Sequence, residues 1–130
     1  MASLTTSLTI SSTDLSNDES LAISLSKALS AVGTVTQFQK VTDTTKRVLL
    51  AQAAYGKSYV LLHNLDGSII QYIGMDTEAD NTVDDDLTDV IFAIGAGEYA
   101  FFPWHAAYDL HVKAASGTPT LEIRVFEVDD

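Results

Sequence analysis

The sequence predicts an all-β protein: an antiparallel β-sandwich, jelly-roll-like, of about 8–10 short strands with a Ser/Thr-rich N-terminal arm. Three observations carry this expectation. Turn signals recur every 8 to 12 residues between short runs rich in Val, Ile, Tyr and Phe. Several of those runs alternate apolar and polar side chains with period two, the signature of a half-buried strand. Ser and Thr supply 18 of the first 45 residues but only 26 of all 130, and such residues compete with helical backbone hydrogen bonds.

Along the chain, Ser20 to Ser26 sets Leu21, Ile23 and Leu25 against Ala22, Ser24 and Ser26, which reads as a strand. The spacing of Leu21, Leu25, Leu29 and Val32 also fits a helix opened by Asn17-Asp18-Glu19, so both readings stand at this point. Val35, Phe38 and Val41 share a β-prone stretch, Asp43 to Lys46 turns, and Arg47 to Ala51 is an apolar strand. The runs Tyr59–Asn64 and Ser68–Ile73 flank Asp66-Gly67, which predicts a β-hairpin on a type I′ turn. Met75 to Thr88 reads as an acidic loop, Asp89–Ile94 as a strand and Gly95–Gly97 as a turn. Glu98–Phe102 is a strand halted by Pro103, which has no N–H for a ladder. Tyr108–Ala114 is expected to turn Tyr108, Leu110 and Val112 inward and Asp109, His111 and Lys113 outward. Leu121–Val128 closes the chain with Leu121, Ile123 and Val125 facing in. Residues 1–45 are thus an arm with the first strands, and residues 46–130 the sandwich body of a single domain.

Charge narrows the function classes. With 18 acidic and 7 basic residues the net charge is −11, which repels phosphate backbones and anionic membranes, so neither nucleic acid nor membrane is an expected partner. The absence of cysteine removes disulfides, thiol nucleophiles and Cys-ligated metals. No apolar run approaches the ~20 residues of a membrane span, and the N-terminus lacks the basic start and apolar stretch of a signal peptide, so synthesis in a cytoplasm is expected.

Few motifs suggest chemistry. Asp76, Glu78 and Asp80 alternate as in the opening of a calcium loop, and Asp84 could add a further oxygen. The twelfth position from Asp76 is Leu87 where such loops carry Glu, so no cofactor is expected, with Ca²⁺ as the alternative. No Lys or Arg occurs between Lys57 and Lys113; the carboxylates there are exposed, metal-bound, or paired with a basic group from elsewhere. His63, His105 and His111 have no metal-ligand spacing, and Gly56-Lys57-Ser58 lacks the first glycine and the helix of a phosphate loop. Neither a Gly-x-Ser-x-Gly elbow nor a thiol is present, so the expectation is no enzyme. Aromatic residues are the stronger signal: Tyr99, Phe101, Phe102, Trp104 and Tyr108 are five of 11 within ten residues. Successive strand residues point to opposite faces, so Phe101 and Phe102 cannot share one core. Phe101, Phe102 and Trp104, with Phe126 and Val128 by the same argument, are the candidate interface residues.

Tyr59–Asn64, the run Gly95–Trp104 with its Gly-Glu-aromatic start and Phe-Pro end, Leu110–Ala114 and the closing Leu121–Glu127 resemble small virion proteins of tailed bacteriophages. The likeness covers residues 45–128. It implies a non-enzymatic β-sandwich on the capsid surface: a decoration (cement) protein, a homo-oligomer and in this family often a trimer, that binds the major capsid protein and itself after synthesis in a host cytoplasm. The arm would cross to a neighbour or lie on the shell. A tail- or fibre-associated carbohydrate-binding module is the alternative, with Phe102, Trp104 and Tyr108 stacking on sugars, and a small metal enzyme using the histidines is a third reading.

Overall fold

The structure, a computed structural model, describes residues 2–13, 21–31, 35–75 and 90–129. Its strands are β1 (Ala2–Ser12), β2 (Leu21–Ala31), β3 (Thr36–Val41), β4 (Arg47–Leu50), β5 (Ser58–Asn64), β6 (Gln71–Met75), β7 (Val90–Ile94), β8 (Tyr99–Trp104), β9 (Leu110–Ala114) and β10 (Thr120–Glu127). One short 3₁₀ turn, Gln52–Ala54, follows β4. β1 and β2 form a two-stranded hairpin, and the other eight strands form two four-stranded sheets ordered β3-β10-β5-β8 and β4-β9-β6-β7.

The order has a simple origin. β3 pairs with β10, β4 with β9, β5 with β8 and β6 with β7, all antiparallel. The chain from β3 to β10 is therefore one long ribbon doubled back on itself. Rolling the ribbon joins β10 to β5 and β9 to β6 and yields the two sheets of a jelly roll.

Alternation decides which face each strand buries. In β5, Ser58, Val60, Leu62 and Asn64 are buried, with Tyr59, Leu61 and His63 on the other face. In β10, Leu121, Ile123 and Val125 are buried. From the second sheet Ile73, Ile94, Leu110 and Val112 meet them. Burying each such side chain contributes about 1.5–3 kcal/mol, so this interlayer is the main source of stability. Phe92 of β7 and Phe102 of β8 meet edge to face across the layers, with ring centroids 5.4 Å apart.

Asp66-Gly67 does not make a hairpin. β5 and β6 lie in different sheets. Neither residue has a positive φ, which a type I′ turn requires at both central positions. Instead one Asp66 carboxylate oxygen accepts the backbone N–H groups of Ser68 and Ile69, each at 2.8 Å, and the chain crosses from one layer to the other. The β7–β8 turn crosses beside it: Gly97 donates to the Asp66 carbonyl at 3.1 Å, and Asn64 donates to the Glu98 carbonyl at 3.0 Å. Gly97 adopts φ 71°, which explains a glycine there.

The two corners share a buried polar network. The Asn64 amide nitrogen faces the carbonyls of Ile69, Ile94 and Gly95 at 2.7, 3.1 and 3.0 Å. Its oxygen accepts from the Asp66 backbone at 3.1 Å and from Gln71 Nε2 at 2.8 Å. The Thr42 hydroxyl donates to Gln71 Oε1 at 2.8 Å and so ties in the end of β3. All three residues are buried, and their mutual bonds offset the cost of taking polar groups from water.

β2 is a strand from Leu21 to Ala31, as the alternation of Leu21, Ile23 and Leu25 with alanine and serine predicts, and not the helix that the leucine spacing also fits. One further expectation needs correction. On β9, Tyr108 precedes the strand and is 41% exposed, whereas Asp109 and His111 are buried. Asp109 accepts the Gln52 backbone N–H at 2.7 Å, which holds the 3₁₀ turn against the strand. His111 lies across from Gly74 on the side of the sheet opposite Leu110 and Val112, so the alternation holds although His111 itself is buried.

Candidate functional site

The hairpin separates its residue types by face. Register places Leu4 opposite Leu29, Leu8 opposite Leu25 and Ile10 opposite Ile23, with Thr6 opposite Lys27 in the same row. The alternate row pairs Ser3 with Ser30, Thr5 with Ala28, Ser7 with Ser26 and Thr9 with Ser24. One face is thus a Leu/Ile stripe and the other a Ser/Thr/Ala surface. Its base joins the sandwich through a bridge between Ala31 and Val128 and a 2.9 Å bond from the Asp129 N–H to the Ser30 carbonyl. Leu29 and Val128 are buried at that junction.

Beyond the junction the stripe faces the outer side of the β3-β10-β5-β8 sheet. A mainly apolar cleft of about 600 Å³ lies between them, walled by Leu4, Leu8 and Leu25 on the hairpin, with Lys27 and neighbouring Ser and Thr residues beside them, and by Leu61, Tyr99, Phe101 and Phe126 on the sheet. Phe101 stacks on Tyr59 at 5.6 Å and meets Phe126 edge-on at 6.4 Å. The walls remain accessible: Leu25 is 62% exposed, Leu8 47%, Tyr99 70% and Phe101 41%. A connected apolar surface of this kind marks a contact site.

Of the five candidate interface residues, Phe101 and Phe126 are brought together in the cleft. The other three are corrected. Trp104 is 1% exposed, its ring 5.9 Å from Tyr55 and its Nε1–H donating to the Tyr108 carbonyl at 3.1 Å. Phe102 points into the core, and Val128 is covered by the hairpin base. The cause is parity: Phe102 and Trp104 share the inward side of β8 with Ala100, leaving Tyr99, Phe101 and Pro103 outward. Trp104 and Phe102 are therefore not available to stack on sugars.

Sequence reasoning missed Leu4, Leu8 and Leu61 as parts of the site. The signal was present in the Leu4, Leu8, Ile10 alternation against threonine and serine. Asp76, Glu78, Asp80 and Asp84 lie outside the described residues. Among the described residues, no three His, Asp or Glu side chains gather as a metal site. His63 lies on β5 and His111 on β9, in different sheets. Among the described residues no helix is long and apolar enough to cross a membrane.

Two carboxylates have shifted acidities. The backbone N–H groups of Ser68 and Ile69 hold Asp66 below its ordinary 3.8, and the Arg47 guanidinium, followed by the Thr45 N–H, does the same for Asp43. Both serve turns rather than the cleft. A scan against protein-family models found no match, and neither the curated proteins nor the solved structures contain a significantly similar chain.

Proposed function

We propose that this protein is a non-enzymatic structural component of a virion: a capsid decoration (cement) protein that binds the major capsid protein and further copies of itself. The observation that carries the reading is the uncovered Leu/Ile stripe and aromatic cleft on a chain of net charge −11. A cement protein needs an adhesive apolar surface together with a charged exterior that keeps it dispersed before assembly. The jelly-roll body and the resemblance of residues 45–128 to small phage virion proteins support the same reading.

The test mixes purified protein with undecorated phage heads and follows co-sedimentation and the heat resistance of the heads. Saturable binding with raised heat resistance is expected; failure to bind overturns the reading. Light scattering of the free protein is expected to give a multiple of 14.0 kDa, three-fold for a trimer. Repeating it with a chelator tests calcium in the Asp76–Asp84 segment, whose removal is expected to leave the mass unchanged.

A carbohydrate-binding module is the second reading, favoured by the exposure of Tyr99 and Phe101. Saccharide titration monitored by tyrosine fluorescence tests it. A saturable response lost in Tyr99→Ala, without head binding, would replace the first reading.

A further inference from the structure

We propose that the cleft between the hairpin and the β3-β10-β5-β8 sheet binds an amphipathic carboxylate, with its single anionic head at Lys27 and its alkyl body along the aromatic wall. Three observations point to that ligand. The first is the place of Lys27. It is the only charged residue in β1 and β2. On the Ser/Thr row its ammonium would face open water. Lys27 stands instead in the apolar row, between Leu25 and Leu29 and opposite Thr6, and it lines the cleft.

The second is a missing counter-charge. The chain carries 18 Asp and Glu against 7 Lys and Arg, yet no Asp or Glu lines the cleft. Among the described residues no carboxylate pairs with the Lys27 ammonium. Its cross-strand neighbour Thr6 donates its hydroxyl to the Lys27 carbonyl at 3.3 Å, which leaves the ammonium as it was. The net charge of −11 opposes any anion from a distance. At physiological salt, charges beyond about 8 Å are largely screened, so the local cation decides.

The third is the wall. A cleft of about 600 Å³ matches the ~300–1,000 Å³ of small-molecule sites, which are mostly apolar with a few placed polar groups. Leu61, Tyr99, Phe101 and Phe126 supply the apolar side, and Phe101 and Phe126 meet edge-on at 6.4 Å. A neutral sugar would use the rings and leave Lys27 idle. A polyanion would meet one cation and an apolar wall. A ligand with one negative charge and an alkyl body uses both features.

The inference goes beyond the proposed function and does not depend on a phage head. A protein that takes up carboxylates and ignores heads would overturn that function and leave this inference intact. A protein that coats heads and takes up no carboxylate would do the reverse.

The experiment titrates octanoate, decanoate and dodecanoate, each below its micelle concentration, into the full chain by calorimetry, with 1-octanol as the uncharged counterpart of octanoate. One site per chain is expected. Affinity is expected to rise about fourfold per added methylene, the gain from burying one CH₂. Octanol is expected to bind about fivefold more weakly than octanoate, the worth of an ion pair in a half-open site. Lys27→Gln is expected to bring octanoate down to the level of octanol and to leave octanol unchanged, and Lys27→Arg to restore the difference. Lys27 is exposed, so neither change is expected to move the unfolding midpoint. Phe101→Ala is expected to weaken both ligands alike. Four outcomes overturn the inference: no saturable binding, no dependence on chain length, equal affinity for octanoate and octanol, or equal loss of both in Lys27→Gln. An affinity that falls as protein concentration rises also overturns it, because a second copy would then occupy the cleft.

Discussion

Replacing Asn64 by Ala tests whether the corner network holds the two layers in register. Five polar contacts converge on this side chain: three carbonyls around its nitrogen, and two donors, the Asp66 N–H and Gln71 Nε2, on its oxygen. The nitrogen has two hydrogens, so four full hydrogen bonds are available at once. Each is worth about 1 kcal/mol net, and a buried group left without a partner costs about 1–3 kcal/mol. Water entering the gap recovers part of this. The expected loss is about 3–5 kcal/mol. For a domain of this size each kcal/mol lowers the melting temperature by about 4 °C, which gives a fall of about 12–20 °C. Urea unfolding should show a lower midpoint at constant slope. Asn64→Asp keeps the shape but sets an oxygen against three carbonyl oxygens, so it should be at least as damaging at neutral pH. A loss below about 1 kcal/mol for Asn64→Ala would refute the argument, because the network would then be a consequence of the fold rather than a constraint on it.

Trp104→Ala removes a side chain that is 1% exposed, so urea unfolding should show a loss of about 3–5 kcal/mol, whereas Phe101→Ala, at 41% exposure, should cost about 1 kcal/mol or less. Acid should weaken the fold through Asp66 and Asp43. Their folded acidities lie below the ordinary 3.8, so the unfolded chain takes up protons first as pH falls. Their stabilisation is complete above that value and is lost as pH drops through the lowered ones. Melting temperature measured against pH should decline less steeply across this acid range in Asp66→Asn than in the wild type.

Strand locations were legible because each buried strand writes its period into the chain. Leu121, Ile123 and Val125 alternate with polar neighbours because the opposite face of β10 borders solvent. Sheet membership was not legible in the same way. Asp66-Gly67 carries a local hairpin signal, yet β5 finds its partners in β8 and β10, distant in sequence. Asn64 and Gln71 read as ordinary strand ends, and only the meeting of two corners turns them into a buried network. At the site, parity separated Phe101 from Phe102 correctly but left open which one faced inward. Ala100 and Trp104 settle that, since the side of β8 that can bury Trp104 against Tyr55 takes Phe102 with it.

Division of the chain at residue 45 gives a sharper test of what the arm is. β3 lies before that boundary, yet it pairs with β10 from Thr36–Val125 to Val41–Thr120 and packs Phe38 on the core. Lys40 Nζ donates to the Val48 carbonyl at 2.8 Å, and Ala114 donates to the Asp43 carbonyl at 2.8 Å. A chain beginning at Lys46 would lose a full ladder, Phe38 and Thr42, and would bare the edge of β10 as a template for aggregation. The loss is comparable to the whole stability of a typical domain, about 5–15 kcal/mol. A chain beginning at Val35 keeps all eight strands of both sheets and gives up only the hairpin and the cover that Leu29 provides. The expected outcome is that residues 35–130 unfold cooperatively but no longer self-associate, while residues 46–130 are insoluble or show no unfolding transition. If the shorter chain melted like the longer one, β3 would belong to the arm. If residues 35–130 failed to fold, the hairpin would be part of the core. In either case the separation of folding from assembly along this chain would have to be redrawn.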